Sequence, residues 1–218
     1  MIAIIRVSPF VPQSGEPPFF GRDKWKMVET CNNTFLKAGA CKRIYILDNY
    51  PEKRQYFEQF GEVYCINKGK IGSRNYAFEI GRKQEGKILF LEDDYLWRPN
   101  TLPLLEKSLD RFKIVTPYNH ADHYPEEGVR SWELTKYAGY SWRHCQTSTH
   151  TFATHSEILK AYYDIFVNSP KDWIMFTELE IRGVPLFCPA YSMATHLVKG
   201  KLALDTDWGE LINHTKPY

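Results

Sequence analysis

The chain has 218 residues, of which 43% are hydrophobic and 25% are charged, and its formal net charge is +2. This length suits one substantial core, so residues 1–218 are predicted to form a single domain. A charge so near zero gives no broad electrostatic footprint for nonspecific nucleic-acid binding, although a nucleic-acid acceptor stays open.

No apolar segment is long enough to span a membrane, and the amino-terminal apolar run lacks the basic region of a signal peptide. The five cysteines contain no CxxC pair, which favours reduced thiols over disulfides. Together these features predict a cytoplasmic protein. The cysteines are Cys31, Cys41, Cys65, Cys145 and Cys188.

The first hundred residues alternate between strand and helix patterns. Short apolar runs predict four strands, over residues 2–7, 43–47, 62–66 and 87–91. Apolar side chains at helical spacing predict three helices, over residues 24–38, 75–80 and about 101–111. Gly39 and Gly81 are expected to end the first two helices. Such alternation indicates an α/β fold with a mostly parallel central sheet flanked by helices.

The second half is less regular. Two more strands are predicted, over residues 113–116 and 184–188. Residues 117–149 show no clean period and are assigned to loops and a hairpin. Thr154 and Glu157 have the spacing of a capping box, which would open a helix reaching Phe166. Ser169 as a cap and Pro170 at the first helical position predict a further helix that ends near residue 183.

The most informative stretch is KILFLEDDYLWRPN, residues 87–100. A buried strand runs directly into three carboxylates, Glu92, Asp93 and Asp94. Clustered acids resist burial unless a cation, basic groups or water compensates their charge. Hard divalent cations accept oxygen ligands, and open α/β sheets bind ligands at the carboxyl ends of their strands. The stretch predicts a Mg²⁺ or Mn²⁺ site that holds a phosphate-bearing substrate; the alternative is an acidic loop that faces water.

Residues 69–100 resemble the nucleotide-sugar-dependent glycosyltransferases of GT-A fold. Family-2 members have a Gly-x-x-x-Ala-Arg-Asn-x-Gly segment, a short helix, and an apolar strand that ends in a DxD-type acidic triplet. Gly69, Ser73, Arg74 and Asn75 match the first part, and the three carboxylates match the second. The resemblance implies a single-domain, Rossmann-like GT-A fold. Residues 1–100 would bind the nucleotide sugar, and residues 101–218 would bind the acceptor.

The resemblance also implies roles around the metal. Asp94 would be a direct metal ligand, and Glu92 or Asp93 would bind the donor or a metal-bound water. His196 would be a further ligand, for which Mn²⁺ suits an imidazole, or it is simply structural. Arg74 would contact the diphosphate because it is expected to precede a helix start, or it pairs with the acidic strand end.

Further donor-binding residues follow from the same resemblance. The end of the first strand, Arg6, Val7 and Ser8, occupies the position that touches the nucleoside in these enzymes. Asn75 is expected to bind the donor together with Arg74. Asp48 follows the second strand, where these enzymes read the base or ribose with an acid. The alternative for Asp48 is plain turn chemistry.

Asp172 is the nearest match to the acid that serves these enzymes as catalytic base, and Glu178 is the alternate. An acid at the start of a helix also stabilises the helix, which is the structural alternative for Asp172. The remaining histidines, in the absence of cysteines at metal spacing, are interpreted as polar loop residues rather than zinc ligands. These are His120, His123, His144, His150 and His155.

The sequence thus favours a metal-dependent glycosyltransferase that acts on a nucleotide-diphosphate sugar and a glycan, protein or other hydroxyl acceptor, with inversion by an aspartate base. A retaining enzyme would need no such base. A sugar-nucleotide pyrophosphorylase shares the architecture, but residues 6–20 contain nothing comparable to its GGxGxR segment. A non-catalytic carbohydrate- or nucleotide-binding module is the third alternative, against which the complete acidic triplet argues.

Overall fold

The computed structural model describes residues 1–10, 17–119, 134–203 and 205–213. Within these ranges no helix is both long and apolar enough to cross a membrane. The predicted roles of His120 and His123 lie outside the described residues.

A nine-stranded sheet forms the centre of the molecule, in the order β3-β2-β1-β4-β9-β6-β10-β8-β7. Its strands are β1 (Ile2–Val7), β2 (Lys42–Asp48), β3 (Glu62–Ile66), β4 (Lys87–Glu92), β6 (Ile114–Val115), β7 (Thr135–Tyr137), β8 (Tyr140–Cys145), β9 (Phe152–His155) and β10 (Leu186–Pro189). A separate two-stranded sheet pairs β5 (Tyr95–Trp97) with β11 (Ala194–His196). Only β8 and β9 oppose the other strands of the large sheet, so seven of its nine described strands run in one direction.

The helices cover both faces of this sheet. They are α1 (Lys24–Ala38), α2 (Arg54–Phe57, preceded by a 3₁₀ turn), α3 (Gly69–Arg82), α4 (Leu102–Ser108), α5 (Ser156–Ala161), α6 (Tyr163–Asn168), α7 (Asp172–Ile181) and α8 (Trp208–Asn213). Buried side chains of α1, α2 and α4 pack on one face together with β5 and β11, and those of α3, α5, α6 and α7 pack on the other. The predicted α/β class with a mostly parallel sheet is confirmed.

Alternation along the strands divides the core into two layers. In β1, Ile5 faces the α1 layer and Ile4 faces the α3 layer, and Leu91 and Phe90 divide in the same way in β4. Successive side chains of a strand point to opposite faces, and both faces here are covered by helices. The continuous apolar runs that predicted these strands are the consequence of this double burial.

The capping box predicted at Thr154 is wrong. Thr154 lies inside β9, which pairs antiparallel with both β4 and β6, and its hydroxyl donates to the carbonyl of Lys113. The predicted single helix is two short helices, α5 and α6, which begin after this strand. A strand of four residues gives too weak a local pattern to compete with a capping-box spacing, so its place between β4 and β6 is decided by sheet pairing.

Gly81 was predicted to end a helix, and this prediction is wrong. The residue lies inside α3, which is longer than the predicted helix. An added Cβ at Gly81 would lie 2.8 Å from the Phe90 ring and 2.9 Å from Leu159 Cδ2. The glycine therefore allows a close approach of α3 to β4 and α5.

The predicted cap at Ser169 is also wrong, because its hydroxyl donates backwards to the carbonyl of Ile165 and so closes α6. The next helix, α7, begins two residues after Pro170. The predicted hairpin is present between β7 and β8. Its turn residues, Ala138 and Gly139, both have positive φ, which suits a tight hairpin turn.

Candidate functional site

The parallel pairing of β1 with β4 places Arg6 directly beside Glu92, at the carboxyl ends of both strands. The Arg6 guanidinium donates to Glu92 Oε1 at 2.6 Å and to the carbonyl of Lys70 at 3.2 Å. Val7, the next residue, is buried in the core. Arg6 thus joins the first acid of the triplet to the start of α3.

Asp93 is held inside the protein by basic and amide groups. Lys24 Nζ donates to Asp93 Oδ1 at 2.8 Å, and the backbone N–H of Ser8 donates to Oδ2 at 2.8 Å. Burial raises the pKa of Asp93, an effect that the Lys24 ammonium opposes. This role of Lys24 was not predicted, because a lysine at the first position of an amphipathic helix looks like an ordinary solvated residue.

Asp94 meets His196 through the small second sheet. The antiparallel pairing of β5 with β11 sets His196 opposite Tyr95, and the two rings stack with centroids 4.9 Å apart. His196 Nε2 lies 3.1 Å from Asp94 Oδ2, and the Leu197 N–H donates to the Asp94 carbonyl at 2.8 Å. His196 is therefore the last residue of a strand, β11.

The charges of this pair reinforce each other. Burial opposes ionisation of Asp94, but the adjacent His196 and the Lys24 ammonium outweigh it and hold the pKa of Asp94 at about 2. Burial likewise lowers the pKa of His196, but the Asp94 carboxylate outweighs this and raises it above the usual 6.5. Each member of the pair therefore favours the charged form of the other.

Glu92, Asp94 and His196 together could hold a metal ion. Each offers one ligand atom, and these atoms lie within 4.8 Å of one another. Asp94 Oδ1 and His196 Nδ1 are buried and have no hydrogen-bond partner among the described residues. Buried polar atoms are rarely left unpaired, and two carboxylates with an imidazole suit Mn²⁺ or another borderline divalent cation. The donor set therefore fits a divalent cation.

Arg74 and Asn75 lie within α3, so the expectation that Arg74 precedes a helix start is wrong. The Arg74 guanidinium donates to the carbonyls of Ser169 and Val167, at 2.9 and 3.3 Å, and the Asn75 amide also donates to Val167. These bonds satisfy carbonyls at the end of α6, which have no partner within their helix. Contact of either residue with a donor stays a prediction.

Asp48 ends β2 and is buried. Its Oδ1 accepts the backbone N–H groups of Lys68 and Gly69, at 2.8 and 3.2 Å, where α3 begins. A carboxylate that binds N–H groups at a helix start stabilises that start. The side chain therefore stabilises a helix start 20 residues along the chain rather than the local turn given as the alternative, and base or ribose recognition by Asp48 stays a prediction.

Glu92, Asp94 and His196 are together called the acidic cluster. A cavity of about 450 Å³ opens beside it. It is lined by residues 147–150 and 170–173 with Lys70, Ile71, Arg74 and Lys201. Two residues connect it to the cluster: Tyr95, which contacts both His196 and Thr149, and Arg6, which reaches both Glu92 and Lys70. Tyr95 and Arg6 therefore link the cluster to the wall of the cavity.

The cavity separates the two candidates for a catalytic base. Asp172, at the first position of α7, lines the cavity, whereas Glu178 lies exposed further along the helix and is not part of the lining. His150 also lines the cavity, and its Nε2 lies 2.6 Å from Asp172 Oδ1. Sequence analysis assigned no role to His150, because the pairing joins a loop to a distant helix.

No family model and no curated protein sequence matches the chain. Solved structures do match. A nucleotidyl transferase from Methanothermobacter thermautotrophicus superposes with a TM-score of 0.54 at 12% identity, covering 99% of this chain and 97% of that one. A CMP:2-keto-3-deoxy-manno-octonic acid synthetase complexed with CTP gives 0.51 at 13% identity, over 86% and 88% of the two chains. TarS from S. aureus gives 0.57 at 12% identity, over 88% of this chain and 36% of TarS.

The likeness is one of fold. At 12–13% identity it supports the GT-A-like α/β architecture that the sequence predicted, and it carries no residue assignments. Membership of the family-2 glycosyltransferases with a DxD motif, expected from residues 69–100, therefore stays a proposal.

Proposed function

We propose that this protein is a metal-dependent glycosyltransferase that moves a sugar from a nucleoside diphosphate donor to an acceptor hydroxyl. The observation that carries the proposal is the meeting of Glu92, Asp94 and His196 beside a cationic cavity of about 450 Å³. This edge of an α/β sheet is where such folds bind ligands. The comparisons support a nucleotide ligand, since one of the similar structures is a synthetase complexed with CTP.

The charges of the cavity suit a phosphate-bearing substrate. Its lining includes four cationic side chains and one carboxylate, that of Asp172. Lysine and arginine form charge-assisted hydrogen bonds with phosphate oxygens. A nucleoside diphosphate that reaches from the acidic cluster into this cavity would therefore meet positive charge along its path. The cationic residues are Lys70, Arg74, Lys171 and Lys201.

Asp94 and His196 would hold the cation, Mn²⁺ or Mg²⁺, with Glu92 as the third ligand or as a partner of the donor. When bound, the cation would neutralise the charge that grows on the diphosphate as the bond to the sugar breaks. Arg6 orients Glu92 for this role and Lys24 fixes the adjacent Asp93, so the protein holds the acids in place before any substrate binds.

The predicted donor-binding residues divide into two groups under this proposal. Arg6, Arg74 and Glu92 lie at or beside the cavity and are proposed to contact the donor. The others are proposed to act from behind the site, because they do not line the cavity and their polar atoms bind other groups of the protein. These supporting residues are Ser8, Asp48, Asn75 and Asp93, and Val7 contributes through the core.

Asp172 is proposed as the general base. It is the one carboxylate of the cavity lining, where it can accept the proton of an acceptor hydroxyl as that oxygen attacks the anomeric carbon. Inversion follows if the attack comes from the face opposite the diphosphate. The acceptor is proposed to be a glycan, a protein or another hydroxyl-bearing molecule, nucleic acid included, and the protein is proposed to act in the cytoplasm.

Nucleotidyl transfer is the second candidate, and the similar structures favour it, since one is a nucleotidyl transferase and another a CMP-sugar synthetase. Such an enzyme would make an activated sugar rather than consume one. The GGxGxR segment that pyrophosphorylases carry after their first strand has no counterpart in residues 6–20, which places this candidate second.

The experiment that separates the candidates is a ligand screen followed by product analysis. Nucleotide sugars and nucleoside triphosphates are screened by thermal shift with and without Mn²⁺, because a specific ligand raises the melting temperature by mass action. A glycosyltransferase releases a nucleoside diphosphate from the stabilising nucleotide sugar. Release of pyrophosphate from a triphosphate and a sugar phosphate supports the second candidate, and metal-dependent binding without any turnover indicates a binding module.

A further inference from the structure

His150 and Asp172 form a close pair at the wall of the cavity. Nε2 of His150 lies 2.6 Å from Oδ1 of Asp172, and the two side chains are 9% and 27% exposed. Both residues line the cavity. One oxygen of the Asp172 carboxylate is therefore held by the protein, while the group as a whole remains open to the space where substrates would bind.

The surroundings of the other ring nitrogen of His150, Nδ1, indicate which nitrogen of the ring carries the hydrogen. Nδ1 is buried and has no hydrogen-bond partner among the described residues. A small internal space beside His150 is lined by Arg6, Arg74 and apolar side chains. None of these side-chain groups accepts an N–H hydrogen bond. Nε2, in contrast, lies 2.6 Å from the Asp172 carboxylate, so we place the hydrogen of a neutral imidazole on Nε2, where an acceptor is within reach.

We propose that His150 positions Asp172 as the catalytic base, an inference that rests on the proposed glycosyl transfer. With Oδ1 engaged by His150, Oδ2 takes the proton of the acceptor hydroxyl. The acceptor oxygen forms its bond to the anomeric carbon, and the bond from that carbon to the diphosphate breaks, with its electron pair leaving on the diphosphate. His150 keeps its hydrogen throughout and contributes by fixing the direction of the carboxylate.

The chain offers a matched control in a second histidine–acid pair. Nε2 of His144 lies 3.1 Å from Oε1 of Glu180, with the two side chains 25% and 41% exposed. Neither residue lines the cavity. Breaking this pair changes the same chemical contact on the same helix, α7, without touching the proposed site.

The pairing itself is tested by NMR of the full chain labelled with ¹⁵N in its histidine rings, without any substrate. The His150 signals, assigned by their loss in His150→Gln, should show the hydrogen on Nε2. They should shift in Asp172→Asn and stay in place in Glu180→Gln. A hydrogen on Nδ1, or signals that do not respond to Asp172→Asn, would overturn the proposal.

The positioning role is tested by kinetics with the donor that the ligand screen identifies. His150→Leu removes the donor group and should lower kcat by about 10- to 100-fold while the KM for the donor changes little. His150→Gln keeps an N–H group and should recover most of the loss, and His144→Leu should stay near wild type. Unchanged kcat in His150→Leu, or equal losses in the Leu and Gln variants, would contradict positioning. If the protein shows the expected NMR result but turns over no donor, the proposed function is contradicted, whereas the pairing of His150 with Asp172 is not.

Discussion

His196 and Asp94 are 102 positions apart in the chain, yet the histidine Nε2 lies 3.1 Å from the aspartate Oδ2. The contact is set by the antiparallel pairing of β5 and β11, in which His196 is opposite Tyr95. Backbone hydrogen bonds between paired strands fix such a distance more tightly than a loop could. A metal ligand set built in this way is already in place before a cation binds.

The first prediction concerns Asp94, the proposed metal ligand. Asp94→Asn keeps the volume and a polar contact to His196 but removes the charge, so Mn²⁺-dependent nucleotide binding should be lost while the protein stays folded. Titration calorimetry with Mn²⁺ and the donor nucleotide measures this. Asp110→Asn, which removes an acid paired with Lys87 on the surface, is the control and should bind as the wild type does. Equal Mn²⁺-dependent affinity in Asp94→Asn would remove the basis of the proposed function.

The second prediction is a pH dependence through His196. A metal must displace the proton from the imidazole nitrogen, and Asp94 raises the pKa of His196 above 6.5 despite its burial. Mn²⁺ affinity should therefore rise with pH through this raised pKa and level off above it. In His196→Ala the metal affinity should fall, more for Mn²⁺ than for Mg²⁺. The rise of Mn²⁺ affinity with pH should also disappear. A variant that is less stable but keeps the wild-type profile would show that His196 is only structural.

The third prediction concerns the catalytic base. Asp172→Asn should lower kcat by about 10² to 10⁴, the usual contribution of a positioned base, while donor and metal affinity stay near wild type. Glu178→Gln, on the exposed side of the same helix, should retain activity. Loss of turnover in Glu178→Gln alone would place the base at Glu178, and full activity in both variants would favour a retaining mechanism without a protein base.

The fourth prediction concerns the buried pair of Lys24 and Asp93, whose side chains are 8% and 10% exposed. Lys24→Met leaves the carboxylate without its cation and should lower the free energy of unfolding by about 3–5 kcal/mol. Adding Asp93→Asn to this variant should recover part of the loss. Urea denaturation measures both.

Lys83→Met is the matched control for this pair, because it removes the lysine of an exposed pair with Glu79, at 62% and 40% exposure. Exposed pairs contribute little, so its effect should stay below about 1 kcal/mol. Similar losses in Lys24→Met and Lys83→Met would argue against a special role for the buried pair.

The fifth prediction tests the close packing at Gly81. An alanine in a helix normally stabilises it by about 1 kcal/mol relative to glycine. Here the added Cβ would approach the Phe90 ring to 2.8 Å, so Gly81→Ala should instead destabilise the protein by about 1–3 kcal/mol. The loss should shrink when Phe90 is first shortened to leucine. A rise in melting temperature in Gly81→Ala would show that α3 is free to move away from β4.

Local patterns were enough to locate three elements of the first half. The bounds of β1, α1 and β3 agree with their sequence predictions, because the two strands are short apolar runs and the helix repeats its apolar face within its own length. The acidic end of β4 was also readable, since three carboxylates directly after an apolar run are conspicuous in any window. These features follow from residues that are neighbours in the chain.

The contacts that assemble the site depend on residues that are far apart. Lys24 with Asp93, His196 with Asp94 and His150 with Asp172 each join separate elements, and β9 takes its place between β4 and β6 through pairing on both edges. No local window contains both partners of such a contact. The sequence alone therefore determined which acids lie at the end of a strand. The tertiary structure decided which acid pairs with a lysine, which contacts a histidine and which lines the cavity. The reason is that each carboxylate is compensated by the charged groups that the packed elements bring within reach.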